Sequence, residues 1–222
     1  MTFKYYLIAF LTFSQAVSFQ GICREYHVSR TIGSDQNKGD AQHPLKTIQA
    51  AAERVQPGDE VIVHTGIYRE QVSPVRGGTE KQPIIFRAAP GEKVEIKGSE
   101  VMKGWKHIDR HTWMIKIPNS FFGTFNPYAD TIHGDWLERG KWSHTGEVYL
   151  NGKRLKEVPS LDSLVFTGHN QPFWFTKVEQ DTTFIWANFI GHNPNQQNVE
   201  INVRQTVFYP NKPFVNYIHV TG

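Results

Sequence analysis

Short apolar runs separated by polar turn residues make up the stretch from Val61 to Gly98. Val61–Val63, Ile84–Phe86 and Val94–Ile96 are rich in β-branched or aromatic side chains, and proline, glycine and charged residues separate them. This pattern predicts successive short strands, which form either hairpins or the faces of a parallel β-helix. The stretch lacks the Asn-Gly and Asp-Gly loops of tight hairpins, so we favour the β-helix.

One amphipathic helix precedes these strands. Ile48, Ala51, Ala52 and Val55 recur at the spacing i, i+3, i+4 and i+7, which places them on one apolar stripe. The helix is predicted to end at Gln56–Gly58, because proline cannot continue a helix and glycine permits the turn. A helix in this place would cover the backbone edges and apolar core at the end of a strand stack.

After Gly98 the strands lengthen and alternate between apolar and polar residues. Three segments are interpreted as alternating strands, which are typical of antiparallel sheets: Thr112–Ile117, Glu147–Leu150 and Thr183–Ala187. Phe173–Phe175 and Thr182–Ala187 form another antiparallel candidate. Asn151-Gly152 predicts a type I′ hairpin directly after a short strand. Residues 99–198 are therefore predicted to form an inserted antiparallel β-sandwich. Val199–Val203 returns to short runs and is assigned to the resumed parallel part.

The first 18 residues have the features of an export signal. Lys4 supplies the positive charge, Leu7–Phe13 form a short apolar core, and Ala16 and Ser18 stand at the −3 and −1 positions of a cleavage site. The apolar run is too short to span a bilayer. We expect export to the periplasm or out of the cell, with no membrane span.

Composition narrows the class of protein. The chain has 222 residues, of which 39% are hydrophobic and 13% aromatic, so packed cores are expected. The net charge is only +3 and the basic residues are scattered, which argues against a nucleic acid partner. His107 and His111 are four apart, but they flank a loop-like segment with no helix. Neither a metal site nor a cofactor is predicted.

The opening of the chain resembles the start of right-handed parallel β-helix proteins similar to pectate lyases, which act mainly on polysaccharides. Five blocks carry this resemblance: Tyr26–Ser29, Gly33–Asp35, His43–Ala51, Pro57–Asp59 and Gly66–Glu70. By itself it implies a fold and no particular reaction. The predicted class is all-β. Residues 24–98 form a capping helix and the first rungs, residues 99–198 form the insert, and residues 199–222 resume the β-helix.

The insert extends the resemblance. Its distinctive blocks are Pro118–Gly123, Phe125–Tyr128, Gly134–Trp136, Val148–Gly152, Ala187–Phe189 and Val199–Arg204. In this order they resemble the N-terminal part of glycoside hydrolase family 120, whose members are β-xylosidases. The resemblance implies a retaining enzyme that acts on xylan-derived oligosaccharides.

No catalytic residue is assigned within this sequence. Retaining glycosidases need two carboxyl groups about 5 Å apart, and the resemblance implies that both lie on later rungs, beyond residue 222. Glu25, Glu70, Glu147 and Glu200 are interpreted as surface or turn carboxylates. The chain ends on a rung without a cap, so we expect a fragment that is poorly soluble and inactive by itself.

Trp136 is the candidate substrate-binding residue, with Asp135 beside it. The resemblance implies that the Trp136 indole packs against the apolar C–H face of a substrate sugar. A place for Trp136 in the core of the insert is the alternative. Asp135 is a candidate acceptor for a sugar hydroxyl, and an Asx-turn is its alternative role.

Two other functions remain open. A polysaccharide lyase on the same scaffold would need a Brønsted base, often with Ca²⁺ held by clustered carboxylates, and no such acidic cluster is visible in the sequence. A non-catalytic carbohydrate-binding β-helix module would need neither.

Overall fold

The computed structural model describes residues 23–134, 143–166 and 171–222. The predicted signal peptide, residues 1–18, lies outside the described residues. Strands dominate and helices are few, so the prediction of an all-β protein is confirmed. In chain order the strands are β1 (Glu25–Val28), β2 (Glu60–Val63), β3 (Gly66–Tyr68), β4 (Ile84–Ala88), β5 (Val94–Ile96), β6 (Ser99–Val101), β7 (Lys106–Asp109), β8 (Thr112–Pro118), β9 (Val148–Leu150), β10 (Lys153–Arg154), β11 (Lys156–Glu157), β12 (Phe173–Glu179), β13 (Thr182–Asn188), β14 (Val199–Asn202) and β15 (Ile218–Thr221).

The helices are short. They are α1 (Ile48–Arg54), α2 (Leu161–Phe166) and two 3₁₀ turns, Asn119–Phe122 and Pro194–Gln196. Over the three described ranges, the structure contains no helix with the length and apolar character needed to cross a membrane.

The first part of the chain is built from parallel strands. One sheet has the order β1-β2-β4-β15, and every neighbouring pair in it is parallel. Strands β3 and β5 form a second parallel pair, in which Tyr68 lies opposite Ile96. A parallel bridge between Val72 and Phe208 adds a third contact of the same kind. Successive passes of the chain therefore lie side by side in the same direction.

Helix α1 is the predicted amphipathic helix, and it packs against β1 and β2. Its buried residues Ile48, Ala51 and Ala52 join the core of the parallel part, which includes Val61 and Phe86. The apolar stripe read from the sequence is thus the face that the helix buries. The predicted helix is confirmed, with its last residue at Arg54.

Side chains cap the first N–H groups of α1. The Thr47 hydroxyl accepts a hydrogen bond from the Ala50 N–H at 3.1 Å. Glu70, from the residues that follow β3, accepts from the N–H groups of Ile48 at 3.1 Å and Gln49 at 2.8 Å. Three N–H groups that a helix leaves without internal partners are satisfied in this way. Glu70 is therefore a helix cap, which corrects its interpretation as a surface or turn carboxylate.

Two further sheets, mostly antiparallel, follow. The larger has the order β11-β12-β13-β8-β7 and the smaller β10-β9-β14-β6. Only β11 and β12 pair in parallel within them. Both sheets contribute to one apolar core, which includes Ile117 and Trp174 from the larger sheet and Val148, Val199 and Ile201 from the smaller.

Two predicted local features are present in these sheets. Strands β12 and β13 pair antiparallel, with Phe175 opposite Trp186. Asn151 and Gly152 join β9 to β10 as a hairpin, and both have positive φ, at 51° and 79°. A type I′ turn requires positive φ at both central residues, which explains the pair Asn-Gly.

One strand assignment from the sequence is wrong. Val199–Val203 was expected to resume the parallel part, but β14 pairs antiparallel with both β6 and β9. Val199 and Ile201 point into the antiparallel core, while Glu200 and Asn202 lie on the opposite face of the strand. A four-residue run of this kind fits either type of sheet, and only its pairing partners decide between them.

The ends of the antiparallel insert meet at a single carbonyl group. The Gly98 oxygen accepts hydrogen bonds from the N–H groups of Val203 at 2.8 Å and Arg204 at 3.1 Å. Strand β5 ends two residues before Gly98, and the Phe208 bridge follows soon after Arg204. The insert therefore leaves and rejoins the parallel part at one point.

The cap at Thr47 gives a stability prediction. We expect Thr47→Ala to lower the free energy of unfolding of the full-length protein by about 1 kcal/mol, because the Ala50 N–H loses its acceptor. Thr47→Ser keeps the hydroxyl and is the matched control. Urea unfolding measures both, and an equal loss in the serine variant would contradict the capping role.

Candidate functional site

The two predicted substrate-binding residues, Trp136 and Asp135, lie outside the described residues. The residues on either side of this segment pair with each other and form a short antiparallel ladder. Thr131 and His144 form an antiparallel bridge, and the Ile132 N–H donates to the Ser143 oxygen at 2.8 Å. Residues 131–132 and 143–144, on either side of the segment, thus form a short hydrogen-bonded ladder.

Glu157 holds the His144 side of this ladder. Its carboxylate accepts from the His144 backbone N–H at 2.9 Å and contacts the His144 Nδ1 at 2.5 Å. The side chains are only 9% and 11% exposed. Strand β11 places Glu157 opposite Trp174, so the ladder is connected to the larger sheet of the insert.

Asn202 connects this ladder to a neighbouring cleft. Its Nδ2 donates to the Thr145 oxygen at 2.9 Å, and its Oδ1 accepts from the Glu147 N–H. The same residue lines a cleft of about 330 Å³ between the parallel part and the insert. The cleft residues are Ile96, Lys97, Gly98, Ser99, Tyr149, Gly152, Glu200 and Asn202.

Glu200 is the buried charge at the bottom of this cleft, with 3% of its surface exposed. Its Oε2 accepts from Ser99 Oγ at 2.6 Å and from Arg69 Nη1 at 3.1 Å. Its Oε1 accepts from Asn198 Nδ2 at 2.8 Å and lies 3.4 Å from Lys97 Nζ. Four donors therefore surround one carboxylate, which leaves it little capacity for a ligand.

The charge state of Glu200 follows from these contacts. Burial by itself raises the pKa of Glu200, but the hydrogen bonds from Arg69, Ser99 and Asn198 outweigh it and lower the pKa to about 2. A carboxyl group with this pKa stays ionised at neutral pH and cannot act as a general acid there. Glu200 is thus a structural anion that holds two cations in place.

The sequence interpretation of Glu200 as a surface or turn carboxylate is wrong. The signal that shows its role lies in the strand pairing, which residue spacing does not contain. Arg69 follows Tyr68 and Lys97 follows Ile96, and Tyr68 and Ile96 are paired in the parallel strands β3 and β5. Two cations at equivalent positions of adjacent strands need a shared anion when they are partly buried.

Among the described residues, the other two glutamates, Glu25 and Glu147, each have one ion-pair partner, whereas Glu200 has two. Glu147 directly precedes β9 and pairs with Arg154 at 2.7 Å, and burial raises the pKa of Glu147. The side chain of Glu25 is 59% exposed, and the His27 Nε2 lies 3.8 Å from it. Glu25 is thus a surface carboxylate, as interpreted from the sequence, whereas Glu147 is a partly buried ion-pair partner of Arg154.

Histidines that look dispersed in the sequence meet in the parallel part. The His27 Nδ1 lies 3.1 Å from the His64 Nε2, and the His64 Nδ1 lies 3.0 Å from a Glu92 oxygen. Hydrogen bonds from the Thr65 N–H and from His64 lower the pKa of Glu92 to about 2. Among the described residues no group of three or more His, Cys, Asp or Glu is arranged to hold a metal ion.

The pKa of Glu200 predicts how stability depends on pH. Its folded-state value of about 2 is below the ordinary 4.5, so its contribution is complete above pH 4.5 and is lost as the pH falls towards 2. We expect Glu200→Gln to lower the free energy of unfolding by about 2 to 3 kcal/mol at neutral pH and to flatten this acid limb.

Urea unfolding of the full-length protein at a series of pH values measures this effect. Glu25→Gln, at an exposed site, is the control and should keep the acid limb. An unchanged acid limb in Glu200→Gln would show that the ion cluster does not contribute.

Comparison with known proteins identifies the insert. Residues 102–173 and 165–201 match the family model described as glycoside hydrolase 120, insertion domain. Residues 43–112, which include α1 and β2 to β7, match the model for chondroitinase B.

Three individual proteins are similar to parts of the chain. The solved structure of XylC in complex with xylose is 41% identical and superposes with a TM-score of 0.84 over 89% of this chain. The uncharacterized protein YwoF of Bacillus subtilis is 38% identical over 69 residues, which are 31% of this chain. Pectate lyase PEL9 of Emericella nidulans is 27% identical over 124 residues, which are 48% of this chain.

The matches cover only a part of each relative: 34% of XylC, 15% of YwoF and 30% of PEL9. The insertion-domain match and the superposition on XylC agree with the blocks that the sequence provided. The resemblance of this chain to glycoside hydrolase family 120, within the pectate-lyase-like proteins, is confirmed.

Proposed function

We propose that the chain is part of a retaining β-xylosidase that removes xylose from xylo-oligosaccharides. The observation that carries this proposal is the similarity to XylC, which was solved with xylose bound, at 41% identity over 89% of the chain. The insertion-domain match over residues 102–201 supports the same family. The substrate is then a neutral oligosaccharide derived from xylan.

The scaffold follows from the strand pairing. We propose that residues 24–98 form the first rungs of a right-handed parallel β-helix, with α1 as its cap. The all-parallel order β1-β2-β4-β15 and the pair β3-β5 support this. We propose that the insert is a β-sandwich, which is supported by the single core that its two sheets share.

The chemistry needs a carboxylate nucleophile and a carboxyl acid/base about 5 Å apart. Glu200 is surrounded by four donors and Glu70 caps a helix, so neither is placed for this role. We propose that the catalytic pair lies beyond residue 222, on later rungs. We propose that residues 24–222 orient the substrate and that Trp136 and Asp135 contact its sugar.

We also propose that the protein is exported. The charged start, apolar core and small-residue cleavage site of residues 1–18 support this. An extracellular or periplasmic enzyme would meet xylo-oligosaccharides where xylan is degraded.

Hydrolysis of an aryl β-xyloside tests the function. We expect the full-length protein to release xylose with retained configuration, and we expect residues 1–222 alone to show no turnover, because the catalytic pair is absent. The product anomer is followed by NMR. Clear turnover by residues 1–222 would contradict the proposed position of the pair, and an inactive full-length protein would contradict the proposed activity.

Trp136→Ala tests the sugar contact. We expect the KM of the full-length enzyme for xylobiose to rise about tenfold or more, since a stacking surface is lost, while the melting temperature changes little. Trp105→Ala is the comparison variant, because Trp105 is buried in the core of the insert and its loss must destabilise the protein. If the melting temperature of Trp136→Ala fell as much as that of Trp105→Ala, the result would contradict the sugar contact and would indicate that Trp136 belongs to the core of the insert.

A polysaccharide lyase on the same scaffold is the second candidate. The match of residues 43–112 to the chondroitinase B model is the observation that favours it. A lyase would release an unsaturated, ultraviolet-absorbing product from an acidic polysaccharide. A hydrolase of neutral xylo-oligosaccharides would not.

A further inference from the structure

We propose that the cleft between the parallel part and the insert is a binding subsite for one neutral pyranose unit, contacted by Tyr149 and Lys97. This inference rests on the proposed function for its substrate class. Both residues line this cleft.

Tyr149 provides the apolar surface. It lies on β9 between Arg154 of β10 and Glu200 of β14. Its neighbours Val148 and Leu150 point into the core of the insert, so Tyr149 points to the opposite face of the sheet, where it lines the cleft. An aromatic ring at such a position can pack against the C–H face of a sugar.

The Tyr149 hydroxyl is available for hydrogen bonding. Within residues 23–134, 143–166 and 171–222, this hydroxyl has no hydrogen-bond partner. Burial raises the pKa of Tyr149, so the phenol stays neutral and can both donate and accept. A sugar hydroxyl has the same two capacities.

Lys97 provides a second donor. Its Nζ lies 3.4 Å from Glu200 Oε1 and 3.6 Å from Glu95 Oε2, and its side chain is 28% exposed. An ammonium group has three N–H donors, and two contacts of this length leave at least one for a ligand. Glu200 thus acts as a positioning residue, because it fixes the ammonium group and does not itself contact the sugar.

The charges around the cleft favour a neutral ligand. The charged side chains that line the cleft are Lys97 and Glu200, which have opposite signs and lie 3.4 Å apart. A carboxylate or a cation would gain no net attraction from balanced pairs. The volume of about 330 Å³ is near the lower end for ligand pockets, which fits a single sugar unit.

Two substitutions in the full-length protein test the subsite. Tyr149→Phe removes only the hydroxyl, and Lys97→Met removes the charge and keeps the length of the side chain. We expect each to weaken xylobiose binding and to raise the KM for xylobiose about fivefold to tenfold, with a much smaller change in kcat. Calorimetric titration with xylobiose measures binding without any need for turnover.

Matched controls separate the cleft from general surface effects. Lys93→Met removes a lysine that also pairs with Glu95, at 2.8 Å, but that is 83% exposed and outside the cleft. Tyr209→Phe removes the hydroxyl of an exposed tyrosine. We expect both controls to bind xylobiose within twofold of the parent protein.

The outcomes separate this inference from the proposed function. Parent-like xylobiose binding by both Tyr149→Phe and Lys97→Met, in a protein that hydrolyses xylosides, would overturn the subsite and leave the function standing. Weakened binding in a protein without hydrolytic activity would support the subsite and overturn the function. Tighter binding of glucuronic acid than of xylose would overturn the neutral ligand.

Discussion

A buried ion pair between Arg69 and Glu200 joins two parts of the chain that are 131 residues apart in sequence. Arg69 comes from the parallel strands and Glu200 from the insert, so the placement of the insert on the scaffold depends on their contact. Removal of one partner leaves the other charge buried and uncompensated, which is far more costly than loss of a surface pair. The cleft beside them exists only where these two parts are held together.

Local patterns explain why much of the fold is predictable from the sequence. The helical stripe of Ile48, Ala51 and Ala52 and the pair Asn151-Gly152 each specify one conformation through neighbouring residues alone. The assignment of Val199–Val203 failed because strand type depends on pairing partners that are distant in sequence. Parallel and antiparallel strands of four residues have too little pattern to be separated locally.

The candidate site was less predictable for the same reason. Glu200 between two apolar residues has the pattern of a solvent-facing strand residue, and only the folded chain brings Arg69 and Ser99 to it. His27 and His64 meet because β1 and β2 pair in register, a fact that residue spacing does not contain. Trp136 and Asp135 came from resemblance to a family, and their roles stay predictions.

The shared hydrogen-bond acceptor at Gly98 has a consequence for how such a protein can evolve. Because Val203 and Arg204 return to the carbonyl from which the insert departs, the parallel strands before and after the insert keep their positions whatever lies between. The entropy of closing a loop rises only slowly with its length, so a long excursion costs the scaffold little more than a short one. The insert can therefore be exchanged or lengthened while the parallel strands on either side of it keep their positions.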